Sequence, residues 1–225
     1  MQFRHEIKYL ITPYMKQILT SRVSALLDKD VNAKGSYHVT SVYFDDQYDT
    51  AYHDKQDGVF AREKFRVRFY NQEQNNLRFE CKIKRGNLSC KETAVLLPYH
   101  LQSMLDKNYS FARDFTEQAW LMFNTLQRTR LMRPVVVVSF EREAYTYQAG
   151  NVRITFDSHL SASSTLEPWG KDYAIMSDTI LEIKYDEFLP SVVSELFSDI
   201  ILNRLAISKY CIARERLWEV HQHVF

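Results

Sequence analysis

Basic side chains recur at every second position in segment after segment of this sequence. Arg66 and Arg68 lie in KFRVRFY, and Lys82 and Lys84 lie in FECKIKR. Successive side chains of a β-strand point to opposite faces, so residues two apart share a face. Each such segment therefore predicts a strand with one cationic face and one apolar face. The fold has to bury the apolar face and leave the cationic face in a polar environment.

The charges on these shared faces are sorted by sign. Five segments place eleven cations on them: Arg4, Lys8, Arg62, Lys64, Arg66, Arg68, Arg78, Lys82, Lys84, Arg153 and Lys184. The same faces carry four anions: Glu6, Glu80, Asp157 and Glu182. The whole chain has 29 Lys and Arg against 28 Asp and Glu, so the remainder is correspondingly acidic. A surface charged only for solubility usually mixes the signs, and this sorting indicates a positive field for a polyanion.

Alternation alone has a simpler interpretation, which is an antiparallel sheet with its polar face in water. The excess of one sign argues against it. Like charges directly opposite each other on neighbouring strands destabilise a sheet, and a bound polyanion would offset that repulsion.

Length and composition predict one soluble domain spanning residues 1–225. A chain of this length with 45% hydrophobic residues can bury a substantial core. No segment resembles a signal peptide or reaches the roughly 20 apolar residues of a membrane helix, so we expect a cytoplasmic protein. Cys81, Cys90 and Cys211 are odd in number and widely spaced, which favours structural thiols over disulfides or a zinc site.

Local patterns predict about eight strands and several helices. The predicted strands are FRHEIKYLI, HVTSVYFD, FAREKFRVRFY, LRFECKIKR, LSCKETAVL, PVVVVSFEREAYTY, NVRITFD and TILEIKYDE. Apolar spacing predicts a helix from Pro13 to about Leu27, a helical insertion at about 98–131 and a further helix at 191–204. Residues 45–58 are interpreted as an acidic polar loop, while 206–220 is ambiguous between helix and strand.

These elements predict an α+β fold built on a closed antiparallel β-barrel, a tunnel with a charged interior. About eight strands is the number at which a barrel interior holds side chains or one small ligand. Helices then have to cover the apolar outer faces. The outer positions expected to be covered are Phe65, Val67, Phe69, Phe79, Cys81, Ile83, Leu181 and Ile183.

Arginine and lysine on neighbouring strands suit several consecutive phosphates. Arginine makes paired charge-assisted hydrogen bonds, and lysine acts as a compact point charge. Glu6, Glu80 and Glu182 each lie two residues before a lysine. Mn²⁺ or Mg²⁺ commonly bridges one or two carboxylates to phosphate oxygens, so these glutamates are candidate metal ligands, with Glu182 the first choice. The alternative for each is an ion pair with a neighbouring strand.

Other chemistries find little support in the sequence. No P-loop, dinucleotide-binding or HExxH motif occurs, and no covalent nucleophile stands out. Phosphoryl transfer needs positioning and charge stabilisation more than covalent chemistry. RNA binding by stacking is disfavoured because Phe65, Phe69 and Phe79 lie on the face opposite the cations.

Several motifs together resemble the VTC domain, the polyphosphate polymerase module of the vacuolar transporter chaperone type. They are RHEIKYLI, KFRVRFY, FECKIKR followed by CKE, FEREAY, VRITFD, LEIKY and SKY. That domain is grouped with the triphosphate tunnel metalloenzymes of the CYTH-like superfamily, which have an antiparallel barrel with a charged bore. The resemblance runs from about Phe3 to Lys209.

The resemblance implies a transferase that moves the terminal phosphate of ATP onto a growing polyphosphate chain with Mn²⁺ or Mg²⁺. It implies phosphate contacts at Lys8, Arg66, Arg68, Lys82, Lys91, Arg142, Arg153 and Lys209. Periodicity adds Lys84 and Lys184 to this set. The resemblance also implies that Glu182 is the metal ligand, with Arg66, Arg68, Glu182 and Lys209 as the catalytic group.

The first strand departs from a pattern of the superfamily. Its hydrolases and class IV adenylate cyclases typically open with E-x-E-x-K, where this chain has Arg4-His5-Glu6-Ile7-Lys8. The missing carboxylate weakens a second metal site and favours transfer over hydrolysis. A triphosphatase of the same fold and a non-catalytic polyphosphate or nucleotide sensor remain as alternatives. The expected ligands are ATP and polyphosphate, and no nucleic acid is expected to bind. Any membrane coupling would need a separate partner. The sequence does not predict the oligomeric state.

Overall fold

The computed structural model describes residues 2–30, 35–164 and 172–222 of an α+β protein with a large antiparallel sheet and helices around it. The strands in these ranges are β1 Arg4–Ile11, β2 Asp28–Lys29, β3 Tyr37–Asp45, β4 Ala61–Tyr70, β5 Glu73–Arg85, β6 Leu88–Leu96, β7 Arg133–Tyr147, β8 Val152–Ser163, β9 Tyr173–Ala174 and β10 Thr179–Tyr185. The α-helices are α1 Pro13–Leu26, α2 Thr50–Gln56, α3 Pro98–Leu105, α4 Gln118–Arg130, α5 Ser191–Glu195 and α6 Lys209–Gln222.

The eight long strands are paired in a ring. Their order is β7, β3, β4, β5, β6, β1, β10 and β8, and β8 also pairs with β7. Every one of these pairings is antiparallel. The predicted set of eight strands corresponds to this ring, and the two-residue strands β2 and β9 pair with β7 and β8.

Apolar outer faces of the ring are covered by helices, as predicted. All eight positions expected to be covered are buried, with at most 6% of the residue exposed. The predicted insertion forms α3 and α4, with a short 3₁₀ turn at Ser110–Asp114 between them. Trp120 of α4 stacks on Phe79 of β5 with 3.9 Å between ring centroids. The apolar half of each alternating strand therefore packs against the helices, which leaves its cationic half on the opposite face of the sheet.

Helix α1 follows the prediction closely. The Thr12 hydroxyl accepts a hydrogen bond from the Met15 backbone N–H at 3.2 Å, and Pro13 occupies the first turn, where its missing N–H costs nothing. Leu19 and Val23 are fully buried, and their cluster includes Phe156 and Leu181 on the outer faces of β8 and β10.

The interpretation of residues 45–58 as a loop is wrong, because α2 lies within them. The Asp45 carboxylate accepts hydrogen bonds from the backbone N–H groups of Ala51 and Tyr52, and Asp46 accepts from those of Tyr48 and Thr50. Two carboxylates thus satisfy the first-turn N–H groups that a helix leaves open. Seven residues are too few to show the apolar periodicity on which the prediction depended.

The predicted helix at 191–204 is wrong over most of its length, since α5 ends at Glu195. The chain then reaches β1, where Arg204 forms a bridge with Tyr9 and the Leu205 N–H donates to the Lys8 carbonyl at 2.9 Å. The strand β6 pairs with β1 only at two positions, so the edge of β1 is open to this segment. The ambiguous region 206–220 is helical from Lys209 onward.

Across the three described ranges, no helix combines the length and the apolarity that crossing a membrane requires.

Candidate functional site

A cavity of about 330 Å³ lies against the charged faces of the ring. Its cationic lining residues are Lys8, Lys55, Arg62, Lys64, Arg66, Arg68, Lys82, Lys84, Arg142, Lys184, Arg204 and Lys209. Its carboxylate lining residues are Glu6 and Glu182. Twelve cations against two carboxylates give the cavity a positive field, which suits a multiply charged anion.

Strand register brings these side chains together. Arg66 on β4 lies opposite Glu80 on β5, and Lys8 on β1 lies opposite Glu182 on β10. Residues directly opposite in an antiparallel pair share a face. The period-two spacing in each segment therefore becomes a continuous charged surface once the strands are paired in order.

A first group of charges is centred on Glu6 and Glu182. The Lys8 Nζ lies 3.1 Å from Glu6 Oε1 and 3.3 Å from Glu182 Oε2. Lys82 Nζ approaches Glu6 Oε2 at 2.6 Å, and Lys184 Nζ approaches Glu182 Oε1 at 2.8 Å. Burial alone would raise the pKa of the Glu182 carboxyl, but Lys184 and Lys8 hold it well below its usual range. Both carboxylates are consequently ionised at neutral pH.

A second group surrounds Glu80, which is fully buried. Its Oε2 lies 2.6 Å from Arg66 Nη2 and 3.8 Å from Arg68 Nη1, and its Oε1 lies 2.6 Å from Lys91 Nζ. Arg66 Nη1 also donates to the Tyr43 hydroxyl at 3.1 Å. Burial would raise the pKa of Glu80, yet the three cations keep it well below its usual range. Glu80 thus fixes the two arginines in position.

A third group pairs Asp157 with Arg142 and Lys209. The Arg142 Nε and Nη2 donate to the two Asp157 oxygens at 2.6 and 2.7 Å, and Lys209 Nζ lies 2.6 Å from Asp157 Oδ2. Burial opposes ionisation, but Arg142 and Lys209 lower the pKa of Asp157 to about 2. Asp157 therefore links the first residue of α6 to the ring.

The Asp157→Asn variant is expected to lose stability and to be less sensitive to acid. A carboxyl with a pKa lowered in the folded state stabilises the fold above its unfolded pKa of about 3.9, and this contribution disappears as the pH falls through about 2. Its size is about 2–3 kcal/mol. Urea unfolding between pH 6 and pH 2 measures it, with the exposed Asp114→Asn as control. If the free energy of unfolding fell equally steeply between pH 4 and pH 2 in both variants, the lowered pKa of Asp157 would be contradicted.

A fourth group of cations forms no ion pair with any carboxylate that the structure describes. Lys55 and Lys84 make no hydrogen bond or ion pair with any residue that the structure describes, and Arg62 donates only to the Val59 carbonyl. Lys64 Nζ donates to the Ser208 hydroxyl at 2.8 Å, and burial lowers its pKa to about 8. We call Lys55, Arg62, Lys64 and Lys84 the unpaired cluster.

Most of the residues predicted from the sequence lie at the cavity. Eight of the ten predicted phosphate contacts line it: Lys8, Arg66, Arg68, Lys82, Lys84, Arg142, Lys184 and Lys209. Lys91 and Arg153 are not among its lining residues. Lys91 is paired with Glu80, and the Arg153 guanidinium contacts Asp30 at 2.7 Å.

Several lining residues received no role from the sequence. Arg62 and Lys64 lie on the predicted cationic face of their strand. The alternation of charges was therefore sufficient to predict them as phosphate contacts. Lys55 lies on α2 and Arg204 in an irregular segment, where no strand alternation marks them. Tyr43 on β3 lies opposite Arg66 on β4. A tyrosine in an otherwise apolar strand gives no local sign that its hydroxyl lines a charged cavity.

The three candidate metal ligands are divided between two groups. Glu6 and Glu182 share contact with Lys8, whereas Glu80 is enclosed by Arg66, Arg68 and Lys91. No cluster of three or more His, Cys, Asp or Glu side chains suited to a metal ion occurs in the ranges covered by the structure. Two neighbouring ionised carboxylates still fit Mg²⁺ or Mn²⁺, which often takes only one or two protein carboxylates and completes its shell with substrate oxygens and water.

Comparisons with known proteins agree with this architecture. The family model described as the VTC domain matches residues 3–218. No curated protein matches the sequence at a significant level. A candidate adenylate cyclase from Bacillus halodurans has a similar fold, with a TM-score of 0.57, 13% identity, and coverage of 92% of this chain and 94% of that chain. The PH1819 protein from Pyrococcus horikoshii OT3 gives a TM-score of 0.50 at 14% identity, over 95% of this chain and 99% of that chain.

Proposed function

The chain belongs to the VTC domain family, and from this premise we propose that it is an ATP-dependent polyphosphate polymerase. In this proposal the ring of eight strands, with its helices, acts as one domain and encloses a tunnel. The terminal phosphate of ATP is transferred there to a growing polyphosphate chain in the presence of a divalent metal ion.

The excess of cations in the cavity is the observation that carries the proposal. Twelve cationic side chains and two carboxylates line one space, and the nearby Glu80 and Asp157 hold several of the cations in fixed positions. Charged groups held in place before the substrate arrives need no reorganisation during the reaction, which is the main source of electrostatic catalysis. Such a site stabilises a phosphoryl group whose charge is spread over several oxygens.

The proposed roles follow from position. Arg66 and Arg68, held by Glu80, stabilise the transferring phosphoryl group with their planar forks. Lys209, held by Asp157, places a further positive charge at the start of α6. Glu182 and Glu6 would hold the metal ion, which when bound would neutralise charge on the substrate phosphates. Carboxylates and lysines alternate on the neighbouring strands β1 and β10, at Glu6, Lys8, Glu182 and Lys184. The lysines would bind substrate phosphates and the carboxylates would bind the metal ion.

The first strand favours transfer over hydrolysis. Arg4 occupies the place of the first carboxylate in the E-x-E-x-K pattern, and its Nε lies 2.7 Å from Asp186 Oδ1. Arg4 is not among the cavity residues. A second metal that could activate water therefore lacks one of its oxygen ligands.

Incubation of the purified protein with ATP and Mn²⁺ tests the proposal. We expect ADP and a ladder of polyphosphate on a gel, and degradation of that ladder by an exopolyphosphatase. Release of free phosphate without polymer would identify a triphosphatase. Tight binding of ATP with no turnover at any metal concentration would identify a sensor.

A further inference from the structure

One serine of the cavity lies against a lysine, although the sequence alone marks no covalent nucleophile. Ser208 directly precedes α6 and lines the cavity together with Lys64 of β4. The Lys64 Nζ lies 2.8 Å from the Ser208 Oγ. A serine becomes a nucleophile when a neighbouring base takes the proton of its hydroxyl, and an amine at this distance can do so. The pair is therefore a candidate reactive site inside the cavity.

Capping of α6 is the ordinary role of Ser208, and it leaves the hydroxyl proton available. The Ser208 carbonyl accepts a hydrogen bond from the Ile212 N–H at 3.1 Å, and its Oγ accepts from the Cys211 N–H at 3.4 Å. A serine hydroxyl offers one donor and two acceptor positions. Across the described ranges no oxygen accepts from this hydroxyl, so the Lys64 nitrogen is its partner whenever that amine is neutral.

The surroundings of Lys64 favour the neutral amine. In the part of the chain that the structure describes, Lys64 forms no ion pair, and its Nζ lies 3.9 Å from the Cys211 Sγ and 5.0 Å from the centroid of the Tyr210 ring. Burial lowers the pKa of Lys64 to about 8, so ammonium and free amine are both populated near that pH. Lysines shifted in this way serve as general bases in enzymes. The ionisable groups that face it are Lys8, Tyr43, Lys55, Lys82, Tyr210 and Cys211.

The position also suits a phosphate attached to this serine. A phosphoserine carries about −1.5 to −2 charges at neutral pH, and it is stabilised at the N-terminal end of a helix and beside cations. α6 is 14 residues long, and Lys209 is its first residue. The Lys8 Nζ donates to the carbonyl of Ile207, the residue before Ser208, at 3.2 Å. Lys64 has no carboxylate that a phosphate would have to displace among the described residues.

We propose that Ser208 is a site of self-phosphorylation, at which the terminal phosphoryl group of ATP is transferred to the serine oxygen and Lys64 accepts the proton. A bond forms between the Ser208 Oγ and the terminal phosphorus, and the bond from that phosphorus to the bridging oxygen breaks. ADP leaves with the electron pair, and the hydroxyl proton converts the Lys64 amine to ammonium. This inference rests on the proposed function in one respect, which is that ATP occupies the cavity.

Incubation of the purified protein with radiolabelled ATP and Mn²⁺ tests the site. The protein is then denatured, treated with exopolyphosphatase to remove polymer, and mapped by peptide mass spectrometry. We expect a covalent phosphate on the peptide that contains Ser208. The label should survive acid and be lost in alkali, as an ester of serine does and a phosphorylated lysine does not. Labelling should be faster at pH 9 than at pH 7, because the Lys64 amine is neutral above its pKa of about 8.

Three variants separate the chemistry from the structure. Ser208→Asn keeps a good helix cap without a hydroxyl, so the label should be lost while the melting temperature changes little. Lys64→Arg keeps the positive charge but cannot release its proton, so labelling at saturating ATP should slow by at least about 100-fold. Ser191→Ala changes the first residue of α5, away from the cavity, and as the matched control it should be labelled like the wild type.

Three results would overturn the inference: no covalent phosphate on the wild type, a label that persists in Ser208→Asn, or an unchanged labelling rate in Lys64→Arg. Polymer formed without phosphoserine would exclude this site and leave the proposed function intact. Phosphoserine formed without polymer would support the site and count against the polymerase. The two proposals can therefore fail separately.

Discussion

Replacing Glu182 with glutamine is expected to lower the rate of metal-dependent turnover by at least about 100-fold, while ATP affinity stays within a few-fold of the wild type. Glu182 is 6% exposed and ionised, and it lies beside Glu6 across the shared lysine Lys8. Glutamine keeps the shape, but its single carbonyl oxygen can accept from Lys8 or Lys184 and not from both, because the two lysines contact different oxygens of Glu182. What it removes is the negative charge that would hold a divalent cation next to the substrate phosphates.

The measurement is an initial rate over a range of Mn²⁺ concentrations, combined with direct Mn²⁺ binding. We expect the concentration of Mn²⁺ that gives half-maximal rate to rise more than tenfold, since a carboxylate ligand contributes directly to metal affinity. Glu141→Gln is the matched control, because Glu141 is an exposed residue of β7 with no ion pair to another described side chain. Unchanged Mn²⁺ binding in Glu182→Gln would show that this carboxylate is an ion-pair partner and not a ligand.

Alternation of charge on strands made the ring predictable from the sequence, because its cause is local. The residues of KFRVRFY and FECKIKR must lie on alternating faces whatever the remainder of the chain does, and the helices have to cover the apolar faces. The same rule predicted six of the eight phosphate contacts that line the cavity, and the other two, Arg142 and Lys209, were predicted from the family resemblance. It could not show which carboxylate serves which cation, since Glu80 and Lys91 meet through a strand register that depends on the turn between β5 and β6.

The elements that the sequence did not predict are those formed by tertiary contacts. Helix α2 depends on the carboxylates of Asp45 and Asp46, and the course of 203–207 depends on an edge of β1 that β6 leaves open. Lys55 and Arg204 reach the cavity from these two segments. Local periodicity contains no information about them, and for that reason part of the cationic lining was missed.

Replacing Glu80 with alanine is expected to lower the free energy of unfolding by about 3–5 kcal/mol. Arg66, Arg68 and Lys91 converge on this fully buried carboxylate, and without it two partly buried arginines would face each other with no counter-charge. Urea unfolding at pH 7 measures the loss. The exposed Glu73→Gln variant, on the same strand, is the control and should change stability by less than about 0.5 kcal/mol.

A pair of further variants separates charge compensation from packing. Glu80→Leu alone should be destabilised to a similar extent, and adding Arg66→Met should recover part of the loss, because an apolar pair of similar volume no longer leaves a buried charge without a partner. No recovery would mean that Glu80 stabilises the sheet by its shape. Phosphate affinity should remain low in the recovered double variant, since Arg66 is missing. The same carboxylate thus stabilises the fold and keeps a phosphate-binding arginine in place before any ligand arrives, and this double dependence favours a positioning role for Glu80 over metal binding.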